Sequence, residues 1–165
     1  MKKIILLYLV FSHSVGFSWS SQTNEINEQV WRPFIKYYNE HNTTEFLGLH
    51  SKDVIRAPRD NKAIWNWDKY LERQNSGDQR DLKENSQRKL ELRFNERINN
   101  VDRAIDIGIY KSTYIFSDGR KESYYGRFHV VLRKENEVWK ILVDTDSSEG
   151  GTIGEKEFML AKSME

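Results

Sequence analysis

The chain contains no cysteine, which excludes disulfide staples, thiolate catalysis and cysteine-ligated metal. It has only two prolines, Pro33 and Pro58, each restricting the backbone around it. Neither sign of charge dominates, with 26 Lys and Arg against 25 Asp and Glu. A balanced surface lacks the clustered basic footprint that nucleic acid demands, so no nucleic-acid partner is expected. His41, His50 and His129 fall in separate segments without ligand spacing, so no metal is implied. Gly150-Gly151 has neither the following lysine nor the strand-loop-helix context of a phosphate loop. No cofactor is expected. Long hydrophobic runs are missing too. The longest, Ile4 to Phe11, is far short of the ~20 residues that cross a bilayer.

That run has a meaning of its own. Lys2 and Lys3 precede it, and small or weakly polar residues follow from Ser12 to Ser20. Basic start, apolar stretch and small-residue zone is the order of a cleavable secretory signal over residues 1–20, with the cut after Ser20 or, nearly as well, Ser18. The expected address is exported, periplasmic or secreted, with no stable membrane insertion once the signal is removed. What remains is the length of one domain and holds 24 basic against 25 acidic residues.

Ser21 to Glu28 is polar and reads as a flexible N-terminus. Ile26, Val30, Phe34 and Tyr38 then step by four, one stripe of an amphipathic helix that Pro33 should bend or delay. Asn42 and Glu45 resemble a capping box opening a second short helix. Asp53 to Ala57 reads as a short strand before Pro58, and Ile64 to Leu71 as a third helix. Glu72 to Lys89 carries one large apolar residue, Leu82, and reads as an exposed helical extension or loop. Beyond Lys89 the period becomes two, as in half-buried strands.

Turn signals set a testable register. A two-residue turn at Asp118-Gly119 places Ile109, Ile107 and Ile105 opposite Phe128, Val130 and Leu132. A four-residue loop from Lys134 to Glu137 places Leu132, Val130 and Phe128 opposite Trp139, Ile141 and Val143. All nine then share one apolar face, with Asp106, Tyr110, Ser112, Tyr125, Arg127 and His129 on the other. Three helices followed by such a meander imply helices packed on one side of a sheet.

This order, with the segments LHSKDVIRAP (49–58) and GRFHVVLRKENEVWKILVDTDSS (126–148), resembles the nuclear transport factor two-like superfamily, in particular its SnoaL-like and ketosteroid-isomerase-like members. The resemblance spans residues 29–148 and leaves 149–165 as a C-terminal tail. It implies a cone-shaped α+β domain, a cystatin-like half-barrel with three N-terminal helices on a curved antiparallel sheet. It also implies a cavity between the two layers and, often, a homodimer through the convex face, here Tyr110, Tyr125, Arg127 and His129. The isomerase arrangement needs a carboxylate just before the proline and a tyrosine on the first helix. This chain has Ala57 and Phe34 there, and neither can do that chemistry.

The remaining candidates are aromatic and acidic. Tyr38, Trp65, Trp67, Tyr70 and Tyr124 are the ligand-binding candidates, suited to a flat apolar small molecule. Asp144 and Asp146 end the last strand, where two near carboxylates can push one pKa upward, and are the catalytic candidates. Asp53 reads as a turn residue. Three functions are compatible with these residues: a small-molecule binding module, a proton-transfer enzyme of the isomerase, cyclase or hydrolase type, or a dimeric interaction scaffold without a ligand.

Overall fold

The computed structural model describes residues 19–164. The basic start and apolar run of the expected signal lie outside the described residues. The described part begins with helix α1 (Trp19–Ile26), continues through one widened π-helical turn (Asn27–Trp31) and runs on as α2 (Arg32–Asn39). The widened turn falls just before Pro33, whose ring and missing amide hydrogen an ordinary turn would not accommodate. The stretch read as flexible is helical because its polar side chains are held from across the domain. Asn99 donates to Thr23 Oγ1 at 2.9 Å, and Asn27 donates to the Met164 carbonyl at 3.3 Å.

Helix α3 (Thr43–Gly48) is capped as the sequence suggests, the Asn42 side chain accepting from the Glu45 amide. Strand β1 (His50–Pro58) and a short 3-10 turn (Arg59–Asn61) lead to α4 (Trp67–Lys83), capped by Asn66. This helix starts three residues later than the apolar spacing suggests, because Arg56 and Trp65 exchange backbone hydrogen bonds of 2.9 and 2.8 Å. Strands β2 (Gln87–Asn99), β3 (Arg103–Ile115), β4 (Lys121–Glu135) and β5 (Val138–Ser147) complete a sheet ordered β1-β5-β4-β3-β2. Its four long strands are antiparallel, and β1 adds to the β5 edge in parallel. Helices α1 to α4 lie on the concave face of this curved, open sheet. The domain is the cone-shaped α+β type expected, with Ile26, Val30, Trp31, Leu132, Trp139 and Ile141 nearly inaccessible in its core.

The register differs from the expected one at both hairpins. Ser117–Gly119 forms a three-residue loop, with Gly119 at φ +85°, so Gly108 rather than Ile109 faces Phe128. A one-residue slip reverses every side chain of a strand. Asp106, Tyr110 and Ser112 therefore point into the cone, and Ile105, Ile107 and Ile109 point out. At the second hairpin the turn is only Asn136-Glu137, both at positive φ, and Leu132 faces Ile141. A bulge at Leu142 then restores a different phase, pairing Val131 with Val143, Val130 with Asp144 and Phe128 with Asp146. Val143 turns outward and both aspartates turn inward, the re-aiming that bulges perform.

The C-terminal segment is part of the domain. Helix α5 (Glu155–Leu160) lies on the convex face, where Ile153, Phe158 and Ala161 bury the outward-turned Ile109 to 1% exposure. Lys162 pairs with Phe94 by two backbone hydrogen bonds of 2.8 and 2.9 Å. Tyr110 leaves the convex face, Tyr125 packs beside Phe158, and Arg127 and His129 stay outside.

Candidate functional site

The concave face holds a cavity of about 540 Å³, within the range that accommodates small ligands. Glycine makes the room. A side chain at Gly108 would strike the Phe128 ring, and one at Gly126 would strike the Tyr110 ring, so both aromatics lie across bare backbone. The inner wall is apolar: Leu90 and Leu92 from β2, Phe128 and Val130 from β4, Trp31 from the widened turn and Phe34 from α2. Trp31 is fixed because its indole nitrogen donates to Asp106 at 2.7 Å. Asp106 in turn accepts two hydrogen bonds from Arg97. A buried carboxylate is tolerated when it is paired and hydrogen-bonded in this way.

One end of the cavity is polar. Arg56, from the segment preceding Pro58, donates to Asp146 Oδ2 at 2.9 Å and to the Asp144 carbonyl at 3.3 Å. Asp144 also accepts from the Tyr70 hydroxyl at 2.8 Å. His50 Nε2 stands 3.5 Å from the same carboxylate oxygen. Because the other ring nitrogen of His50 faces the Phe46 carbonyl at 3.0 Å, it carries the hydrogen of that bond, and the contact with Asp144 is attractive only with a second shared proton.

The two carboxyls are driven apart. Burial alone raises the Asp144 carboxyl, but the Arg56 charge, the neighbouring His50 ring and the hydrogen bond from the Tyr70 hydroxyl outweigh it and hold it well below the usual carboxylate range. Burial raises the Asp146 carboxyl, helped by Asp144 and Asp60 and opposed by Arg56, and the net shift is upward. Burial and the Asp144 charge keep the Tyr70 hydroxyl firmly protonated. Asp144 is thus an anchored anion, and Asp146, about a quarter exposed into the cavity, is the member that can exchange a proton.

The second polar strip runs along β3. Tyr38 and Ser112 hydroxyls meet at 3.2 Å, and Tyr38 and Tyr114 hydroxyls at 3.4 Å. Burial first, then the Asp146 charge, pushes the Tyr110 hydroxyl above its ordinary pKa, so it enters the cavity as a proton donor. Helix α4 forms the outer wall, contributing Arg73, Gln74, Gly77 and Arg80. Its polarity is matched from inside. Asp78 and Asp81 are buried against Arg88, 2.5 and 3.3 Å away, and the Arg88 guanidinium lies 3.9 Å from the Tyr38 ring centre.

Of the aromatic candidates, Tyr38, Trp65 and Tyr70 line the cavity with Asp144 and Asp146. Trp67 packs under Lys52, whose ammonium is 3.1 Å from its ring centre. Tyr124 lines a more open depression that adjoins the cavity and shares Tyr38, Arg80, Tyr110 and Ser112 with it. His50, Tyr110 and Ser112 were not among the candidates. Turn length controlled the last two, and His50 is joined to Asp144 only by the parallel pairing of β1 with β5. Arg56 stands in sequence next to Ala57, the position of the absent isomerase base.

No protein-family model matches the chain, and no curated protein matches it. Solved structures do. A nuclear transport factor 2-like superfamily protein from Salmonella enterica serovar Typhimurium is 18% identical, with a TM-score of 0.62 over 79% of this chain and 92% of that one. A nuclear transport factor 2-like protein from Shewanella oneidensis gives 16%, 0.61, 76% and 98%. A nuclear transport factor 2-like protein with a cystatin-like fold from Novosphingobium aromaticivorans gives 12%, 0.64, 77% and 81%. At these identities the likeness is one of fold, and this chain has the nuclear transport factor 2-like fold.

Proposed function

We propose that this small single-domain protein of nuclear transport factor 2-like fold binds a small, largely apolar or aromatic molecule inside its cone. The carrying observation is the cavity itself, walled by aromatic and aliphatic side chains and converging on a few fixed polar groups, Asp146, Arg56 and Tyr110. Trp65, Tyr38 and Tyr70 are the binding candidates that border it. The test fills the void. Val130 faces it and is itself buried, so Val130→Trp occupies ligand space. Native mass spectrometry of protein purified without denaturation should show a reproducible added mass on the wild type that the variant loses. Equal ligand retention by a folded Val130→Trp protein would refute cavity binding.

A second reading, proton-transfer catalysis, is favoured by one observation: the opposed shifts of Asp144 and Asp146. In it Asp146 takes or gives the proton, Tyr110 polarises the substrate, and Asp144 keeps Arg56 and Tyr70 in place. Asp146→Asn then abolishes turnover and leaves binding intact. The homodimer belongs to the same set of proposals. It would use the convex surface around Ile105, Arg127 and His129 that α5 leaves open, and sedimentation at several concentrations tests it. Export completes the reading, and N-terminal sequencing of protein recovered outside the cytoplasm should begin at Ser21 or Trp19.

A further inference from the structure

The cations around the cavity are not equivalent. Arg56 is committed to Asp144 and Asp146, and Arg88 to Asp78 and Asp81. Arg73 and Arg80 are left at the rim. Arg73 rests 5.8 Å from the Trp65 ring centre, and no carboxylate pairs with it among the described residues. Arg80 reaches Asp81 at only 3.7 Å, with its side chain 66% exposed, and Arg88 already holds that acid. Positions 73, 77 and 80 share one face of α4, and all three border the cavity. The middle one is glycine. Nothing lies within 4 Å of where a Gly77 side chain would begin, so packing does not require glycine there, although glycine weakens a helix interior. The result is a gap in the outer wall with an arginine on either side, the two positions about 10 Å apart along the helix axis.

Building on the cavity reading, we propose that the ligand is an anionic amphiphile. It enters over Gly77, places its apolar body against Phe128, Val130 and Leu92, and leaves its carboxylate or similar anion at the rim between Arg73 and Arg80. Guanidinium pairs such anions with directed, charge-assisted hydrogen bonds. The site accommodates a carboxylate better than an ammonium because three guanidiniums, Arg56, Arg73 and Arg80, line it against two acids, Asp144 and Asp146, and both acids already share Arg56.

Three probes with one body separate charge from cavity binding: 4-phenylbutanoate, 4-phenylbutan-1-ol and 4-phenylbutylamine, titrated calorimetrically into the intact protein. The acid should bind about tenfold or more tighter than the alcohol, with the amine weakest. The preference should shrink as salt is added, because the rim is wet. Arg73→Gln with Arg80→Gln should bring the acid down to the affinity of the alcohol and leave the alcohol unchanged. Gly77→Leu should slow association of all three. Equal affinity of acid and alcohol, or an acid preference that survives the double substitution, overturns the inference while leaving cavity binding standing. Absence of binding by all three overturns the cavity reading and the inference together.

Discussion

Replacing Arg88 by methionine tests whether α4, a helix with few apolar residues, is held by charge. Methionine retains the aliphatic stem but removes the guanidinium lying 2.5 Å from Asp78 and 3.3 Å from Asp81. Those carboxylates are 1% and 3% exposed, so water cannot replace the lost cation. Breaking a buried pair by deleting one partner costs about 3–5 kcal/mol, mostly through the charge left behind. Asp78 keeps its hydrogen bonds from Thr43, at 2.5 Å, and Gln74, at 2.9 Å, which places the expected loss near the lower end, about 3 kcal/mol. For a domain of this size that corresponds to a fall in Tm of roughly 10 °C. Urea unfolding followed by far-ultraviolet circular dichroism gives the free energy, and an unchanged m value shows that the same surface is exposed. Adding Asp78→Asn and Asp81→Asn should recover part of the loss, because amides are less costly to bury than unpaired carboxylates. If the single variant unfolds within about 1 kcal/mol of the wild type, or if neutralising the acids makes matters worse, the charge-clamp account of α4 is wrong.

Gly77→Ala should stabilise the protein by up to about 1 kcal/mol, since its side chain meets only open space; the same urea titration reads it, and a loss of stability would mean the gap is occupied. Phe158→Ala should cost about 3 kcal/mol and increase binding of a hydrophobic dye, because Phe158 helps cover Ile109; an unchanged protein would show that the C-terminal segment is dispensable. The two cavity aspartates should respond oppositely to pH. The Asp144 carboxyl is depressed on folding, so its stabilisation is complete above the unfolded value of 3.8 and fades as pH falls toward the folded value. The penalty of Asp144→Asn should therefore shrink on acidification. The Asp146 carboxyl is raised, so its contribution is present at low pH and lost as pH rises through its folded value, and Asp146→Asn should compare best with the wild type at neutral pH. Stability measured from pH 2.5 to 7 checks both signs.

Some of this was legible in residue order. The step of four from Ile26 to Tyr38 and the alternation after Lys89 report burial of one face, and local periodicity is enough to read that. The Asn42 cap and the core position of Trp139 were equally local, and element order carried the α+β class. The missing isomerase groups, Ala57 and Phe34, were read directly. The orientation of the cavity face was not local. It rests on whether the first hairpin loop has two residues or three and whether Leu142 bulges, and one residue either way exchanges Tyr110 for Ile109 and Asp144 for Val143. Polar burial was hidden for a related reason. Asp78, Asp81 and Asp106 look like surface acids until Arg88 and Arg97 arrive from β2, and a charge can be buried only where its partner is also brought. Residue order by itself determined the layers and the candidate groups. Tertiary structure decided which of them share the cavity, because turn length, bulge position and ion pairing couple residues that the chain holds far apart.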